Sequence, residues 1–146
     1  MLLFSMEREG FLQTIIDSMS DSVLVIGLDY RVLFMNKAAK KFALCSESDE
    51  PCFCYNVSHK TDSPCKGEDE SCPLDEVMKR KKPATVIHKH LDKYGHESRF
   101  EITASPVFDE KGNVIQMIEV SRDITKRLLL DEARQKFYER LQSEQK

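Results

Sequence analysis

The chain has 146 residues, 40% hydrophobic and 32% charged, enough for one domain with a real core and a heavily charged surface. A net charge of −3 and the absence of a basic stripe give no electrostatic footprint for nucleic acid. No apolar run approaches the roughly 20 residues that span a bilayer, and the opening MLLFSMEREG is too briefly apolar for a signal-peptide core, so no membrane contact and a reducing, cytoplasmic setting are expected.

In chain order, Phe11, Ile15, Ile16 and Met19 recur at helical spacing and predict an amphipathic helix over residues 5–19. Residues 22–28, SVLVIGL, form a short, β-branched, almost wholly apolar run, the pattern of a strand covered on both faces. Asp29 and Tyr30 make a tight turn, and residues 31–35 pair back as a second strand. Asn36 is placed to cap the short helix KAAKKFAL, because its side chain accepts a bond from a first-turn amide. After an irregular cysteine-bearing stretch, Pro73 launches a helix through Lys81 with Leu74, Val77 and Met78 inward. From Pro83 the period changes to two. Residues 85–91, 98–105 and 114–120 then predict a three-strand antiparallel meander with turns at DKYGH and DEKGN. Beyond Arg122 the chain is helical again, with Leu130, Ala133, Phe137 and Leu141 forming an apolar seam too thin for a core and suited to pairing with a second helix. The predicted class is α+β: a five-stranded antiparallel sheet with short helices on one face and a flanking helix at each end.

Residues 51–74, PCFCYNVSHKTDSPCKGEDESCPL, hold Cys52, Cys54, Cys65 and Cys72 together with His59. Thiolates are soft, strong ligands for zinc or iron, and a neutral imidazole completes such sets. Cys54, His59, Cys65 and Cys72 offer a Cys₃His set, with four, five and six intervening residues. Cys52, on the same side of an extended chain as Cys54, is the substitute ligand. Zinc is the first expected metal and an iron–sulfur cluster the redox-active alternative. A disulfide, for example Cys65 with Cys72, competes with both, and unliganded thiols are the remaining reading. Cys45, at the apolar side of a helix end, reads as a small core residue.

His88 and His90 share one face of a strand. They could line a cavity, ligate haem or titrate near neutral pH, but a surface or cross-strand polar role is the favoured reading. His96, beside Gly95 in a turn, reads as solvated. No phosphate loop, Gly-x-Ser-x-Gly or paired nucleophile and base occurs, so no catalytic residue is assigned and the segment is not expected to be an enzyme.

The stretch SMSDSVLVIGLDYRVLFMNKAAKKF, with Asn36 at the family's usual asparagine, resembles the first hairpin of a PAS domain, and Asp123-Ile124-Thr125 resembles the signature that closes many such domains. The resemblance covers roughly residues 10–127. It divides the chain into an N-terminal flanking helix at 1–20, a PAS domain at 21–125 and a C-terminal signalling helix at 126–146. It implies a ligand cavity of unknown occupant between sheet and helices, a homodimer through the flanking helices, and output along the last helix to a further domain of the same chain. A PAS subgroup also carries a Cys-Tyr, a His, a Pro-Cys and a Cys-Pro, which fall here on Cys54-Tyr55, His59, Pro64-Cys65 and Cys72-Pro73, with KGEDES where about two residues would be usual. The implied function is a sensory and dimerisation module of a bacterial signalling protein, first a sensor histidine kinase. The alternative is a cysteine-based metal- or redox-responsive switch within a transcriptional regulator or cyclic-di-nucleotide enzyme.

Overall fold

The computed structural model describes residues 2–45, 52–58, 65, 72–91 and 94–145, with backbone alone at 2–6 and 91. The elements run α1 (Leu2–Ser18), β1 (Ser22–Gly27), β2 (Val32–Met35), α2 (Lys37–Phe42), α3 (Cys54–Ser58), α4 (Pro73–Arg80), β3 (Ala84–Leu91), β4 (Glu97–Phe108), β5 (Val114–Asp123) and α5 (Thr125–Glu144). The strands form the five-stranded antiparallel sheet that the sequence pattern predicts, in the order β2-β1-β5-β4-β3. The first strand therefore pairs with the last, Ser22 opposite Ser121 and Ile26 opposite Met117, while residues of α2, α3 and α4 pack over one face. Helix α3, inside the stretch expected to be irregular, is an addition to the predicted set.

The core forms where Ala39, Val57, Leu74 and Val77 of the helices meet Leu24, Ile26, Ala104 and Met117 of the sheet. The inner face of the sheet also carries polar residues. His88, His90, Glu119 and Ser121 are all buried, whereas Ile87 and Ile118, which point the other way by strand alternation, are exposed. The surface role expected for His88 and His90 is thus corrected. Strand β3 turns its histidines inward and its Ile87 and Lys89 outward, because the register opposite Phe100 and Ser98 places them on the helix-covered side.

Asn36 does more than cap. Its Oδ1 accepts the amides of Ala39 in α2 and Val23 in β1, and its Nδ2 donates to the carbonyls of Ile16 and Asp21. One wholly buried side chain joins the end of α1, the first strand and the second helix. Helix α1 is otherwise held loosely, with Phe11, Leu12 and Ile15 exposed, and α5 buries no residue at all. No helix among the described residues is long and apolar enough to cross a membrane.

Candidate functional site

The cysteine-bearing segment is tied to the β1–β2 turn by its backbone. Val32 donates its amide to the Cys52 carbonyl at 2.8 Å, and Cys54 donates its amide to the Tyr30 carbonyl at 2.9 Å. Tyr30 sits in the left-handed region at φ 70°, and its hydroxyl donates to Asp75 Oδ1 at 2.9 Å in the first turn of α4. These bonds bring α3, α4 and the turn together over the sheet.

Cys45 and Cys52 form a disulfide, while Cys54, Cys65 and Cys72 stand outside it. Two expectations are corrected here. Cys45 is a bonded partner rather than a plain core residue, and Cys52, as a disulfide sulfur, has no thiolate to offer as a substitute ligand. The pairing of Cys65 with Cys72 is not found.

Of the predicted Cys₃His set, the structure brings Cys54, Cys65 and Cys72 to the edge of one small space of about 20 Å³, which on the inner face is walled by His88, His90 and Glu119. A space of that size holds about one water. His59 lies outside the described residues. Among the described residues no three His, Cys, Asp or Glu side chains converge closely enough to hold a metal ion. The types of side chain lining the space, thiols and imidazoles, are ones that zinc takes as ligands.

Burial favours the protonated forms of the thiols and the carboxyl around this space. Burial, and then the nearby Glu119 and other thiols, push the Cys54 thiol far above its ordinary value, and burial also raises Cys72. Desolvation lifts the Glu119 carboxyl to about 7, against a smaller opposing pull from the Ser121 hydroxyl. Burial and the Asp75 carboxylate raise Tyr30 to about 12. A thiol held protonated is a poor nucleophile, so Cys54 and Cys72 are chemically quiet until a base takes the proton or a metal cation displaces it.

A larger cavity of about 220 Å³ lies beside it, between α2 and the sheet. Leu24, Ala39, Phe42, Val57 and Phe100 supply its apolar wall. Ser22, Ser98, Ser121, His90 and Asp123 supply its polar groups. His90 borders both spaces and stacks on Phe100 with ring centroids 4.7 Å apart. Ser121 links them too, since its hydroxyl bonds the Glu119 carboxyl.

The cavity reaches the last helix through three consecutive residues. Asp123 Oδ1 accepts the Thr125 amide at 2.9 Å, Ile124 is buried and donates its amide to the Arg99 carbonyl, and Thr125 Oγ1 accepts the Arg99 amide at 2.8 Å. The end of β5 is thereby fastened to β4 at the point where α5 begins. Sequence reasoning missed Glu119 and the three cavity serines, Ser22, Ser98 and Ser121. The signal for those on β5 was the run of polar residues at alternate positions, Glu119, Ser121 and Asp123, which reads as a solvated face when burial is unknown.

The model of the PAS fold family matches residues 16–128. Among solved structures, a PAS domain from Colwellia psychrerythraea is 17% identical, with a TM-score of 0.61 over 83% of this chain and 98% of that one. An RNA-binding light-oxygen-voltage receptor is 17% identical, with a TM-score of 0.69 over 90% of this chain and 37% of that one. A PAS domain from a two-component sensor histidine kinase is 13% identical, with a TM-score of 0.60 over 82% of this chain and 98% of that one. No curated protein matches the sequence. At such identities the structural likeness speaks for the fold, and with the family model covering most of its length the chain belongs to the PAS fold family.

Proposed function

We propose that this chain is the sensory and dimerisation module of a bacterial signalling protein, first a sensor histidine kinase, acting without catalytic residues of its own. The observation that carries the reading is the double role of Asp123, which lines the larger cavity and accepts the first amide of α5. A ligand entering the cavity would press on the residue that starts the output helix, and it shifts the equilibrium only by binding one arrangement better than the other. The exposed seam of Leu130, Phe137 and Leu141 supports pairing of α5 with the same helix of a second copy, which passes the change to an output domain of the same chain. The volume of about 220 Å³ falls below the roughly 300–1,000 Å³ usual for drug-sized ligands, which favours a small occupant over haem or flavin. Asp123→Ala is expected to lower hydrogen-exchange protection over the first turn of α5 by about 1 kcal/mol while leaving β1 and β5 unchanged. Unchanged protection in α5 would count against the link.

A second reading is favoured by the three thiols outside the disulfide that border one small space. Here Cys54, Cys65 and Cys72, with His59, bind zinc, or an iron–sulfur cluster, and the module responds to metal or oxidation. Binding must displace protons from raised thiols, so occupancy would rise with pH. Elemental analysis after anaerobic purification separates the readings. About one zinc or iron per chain supports a metal site, and the absence of both removes it.

A further inference from the structure

The character of the larger cavity narrows what enters it, given the sensing reading above, on which this inference rests. Phe100 lines it, edge-on to Phe42 at 6.0 Å and stacked on His90 at 4.7 Å, so part of the wall is a packed group of aromatic rings. Such a wall favours a flat ring, which gains offset or edge contacts against it. Around the rim stand the hydroxyls of Ser22, Ser98 and Ser121 and the carboxylate of Asp123. Among the described residues no Lys or Arg borders the cavity. A carboxylate or phosphate brought here would meet Asp123 without a guanidinium or ammonium to neutralise it, and would exchange its hydration for bonds to the hydroxyls and the His90 imidazole. A ligand bearing N–H donors finds the opposite situation. Asp123 gives one oxygen to the Thr125 amide, but an ionised carboxylate has about four acceptor sites, so further donors are accommodated.

We propose that the cavity recognises a small, flat ligand with N–H donors and a positive or neutral headgroup, of the amidine or amino-heterocycle class, and rejects carboxylates and phosphates. Asp123 is the specificity residue. Because it also accepts the first amide of α5, a donor group bound to it shares the carboxylate with the start of the output helix, and the ligand class and the signal meet at one group.

Benzamidine, benzamide and benzoate have nearly the same shape and carry a positive, a neutral and a negative headgroup. Each is titrated into the full chain while the amide NMR signals are followed. Benzamidine is expected to bind about tenfold or more tightly than benzoate, the difference a charge-assisted hydrogen bond makes. It is expected to move the amides of Ser98, Phe100 and Thr125. Asp123→Asn keeps an acceptor for Thr125 and should weaken benzamidine about tenfold while leaving benzamide nearly unchanged. Benzoate binding as tightly as benzamidine, or benzamidine moving only signals far from the cavity or none at all, would overturn the assignment. Xenon, which enters apolar cavities whatever their rim charge, tells the two levels apart. If xenon moves the cavity amides and benzamidine does not, the ligand class fails and the sensing cavity stands. If neither enters, both fall.

Discussion

Asn36→Asp is expected to lower the stability of the chain by about 3 kcal/mol in urea denaturation at neutral pH. The substitution discriminates because aspartate is as good a helix N-cap as asparagine. Were Asn36 only the cap of α2, the change would be nearly neutral. The structure instead has Nδ2 donating to the carbonyls of Ile16 and Asp21 at 3.0 Å each, in a side chain with no solvent exposure. Aspartate keeps the acceptor facing Val23 and Ala39 but sets a second oxygen against those two carbonyls. Two buried acceptors lose their donor, at roughly 1–3 kcal/mol each, and the new charge is desolvated. Asn36→Ala, which also strands two amides, should cost about 4 kcal/mol, a large share of a domain's usual stability. A loss below about 1 kcal/mol for the aspartate variant would reduce Asn36 to a cap.

The second large effect depends on pH. Glu119 has its folded value raised from 4.5 to about 7, mainly by desolvation. The folded state therefore holds the proton more tightly than the unfolded chain does. The stability from this group is fully present below about pH 4.5 and is lost as pH rises towards 7, where it levels off. At about 1.4 kcal/mol per unit, the metal-free chain should lose about 3 kcal/mol across that window from this residue. Glu119→Gln keeps an acceptor for Ser121 and cannot ionise. The variant should match the parent near pH 4.5 and exceed it by about 3 kcal/mol near pH 8, as measured by urea denaturation in the presence of a chelator. A stability difference that stays constant with pH would show that water reaches the carboxyl.

The same residue shows why the sheet was more legible than the site. Strand positions followed from period-two runs and turn chemistry, and each of the five strands was expected within a few residues of where it lies. Which face turned inward was another matter. In β3 the sequence alternates Ile87 and Lys89 against His88 and His90, and in β5 Ile118 against Glu119, so the usual rule of apolar-in points the wrong way. The inner face is polar because it lines cavities, and that is a property of the helix layer above it, which no local pattern contains. The cysteines were legible as a cluster but not as partners. Cys52 follows Cys45 by seven positions, and a backbone bond from Val32 to the Cys52 carbonyl helps hold Cys52 in place. Such pairing depends on tertiary placement, and spacing alone cannot supply it. Asp123-Ile124-Thr125 was readable as a motif, whereas its place at the junction of cavity and helix became visible only with the β4–β5 register, where Phe100 lies opposite Asp123.

Helix α5 buries none of its residues, and Leu129, Leu130, Phe137, Tyr138 and Leu141 stand in solvent. The proposed function has this surface covered by the same helix of a second copy. Sedimentation equilibrium of the full chain, set beside the chain ending at residue 125, measures that directly. A dimer for the full chain and a monomer for the shortened one is the expected result. A full chain that remains monomeric at high concentration, or a dimer that survives loss of residues 126–146, would contradict it.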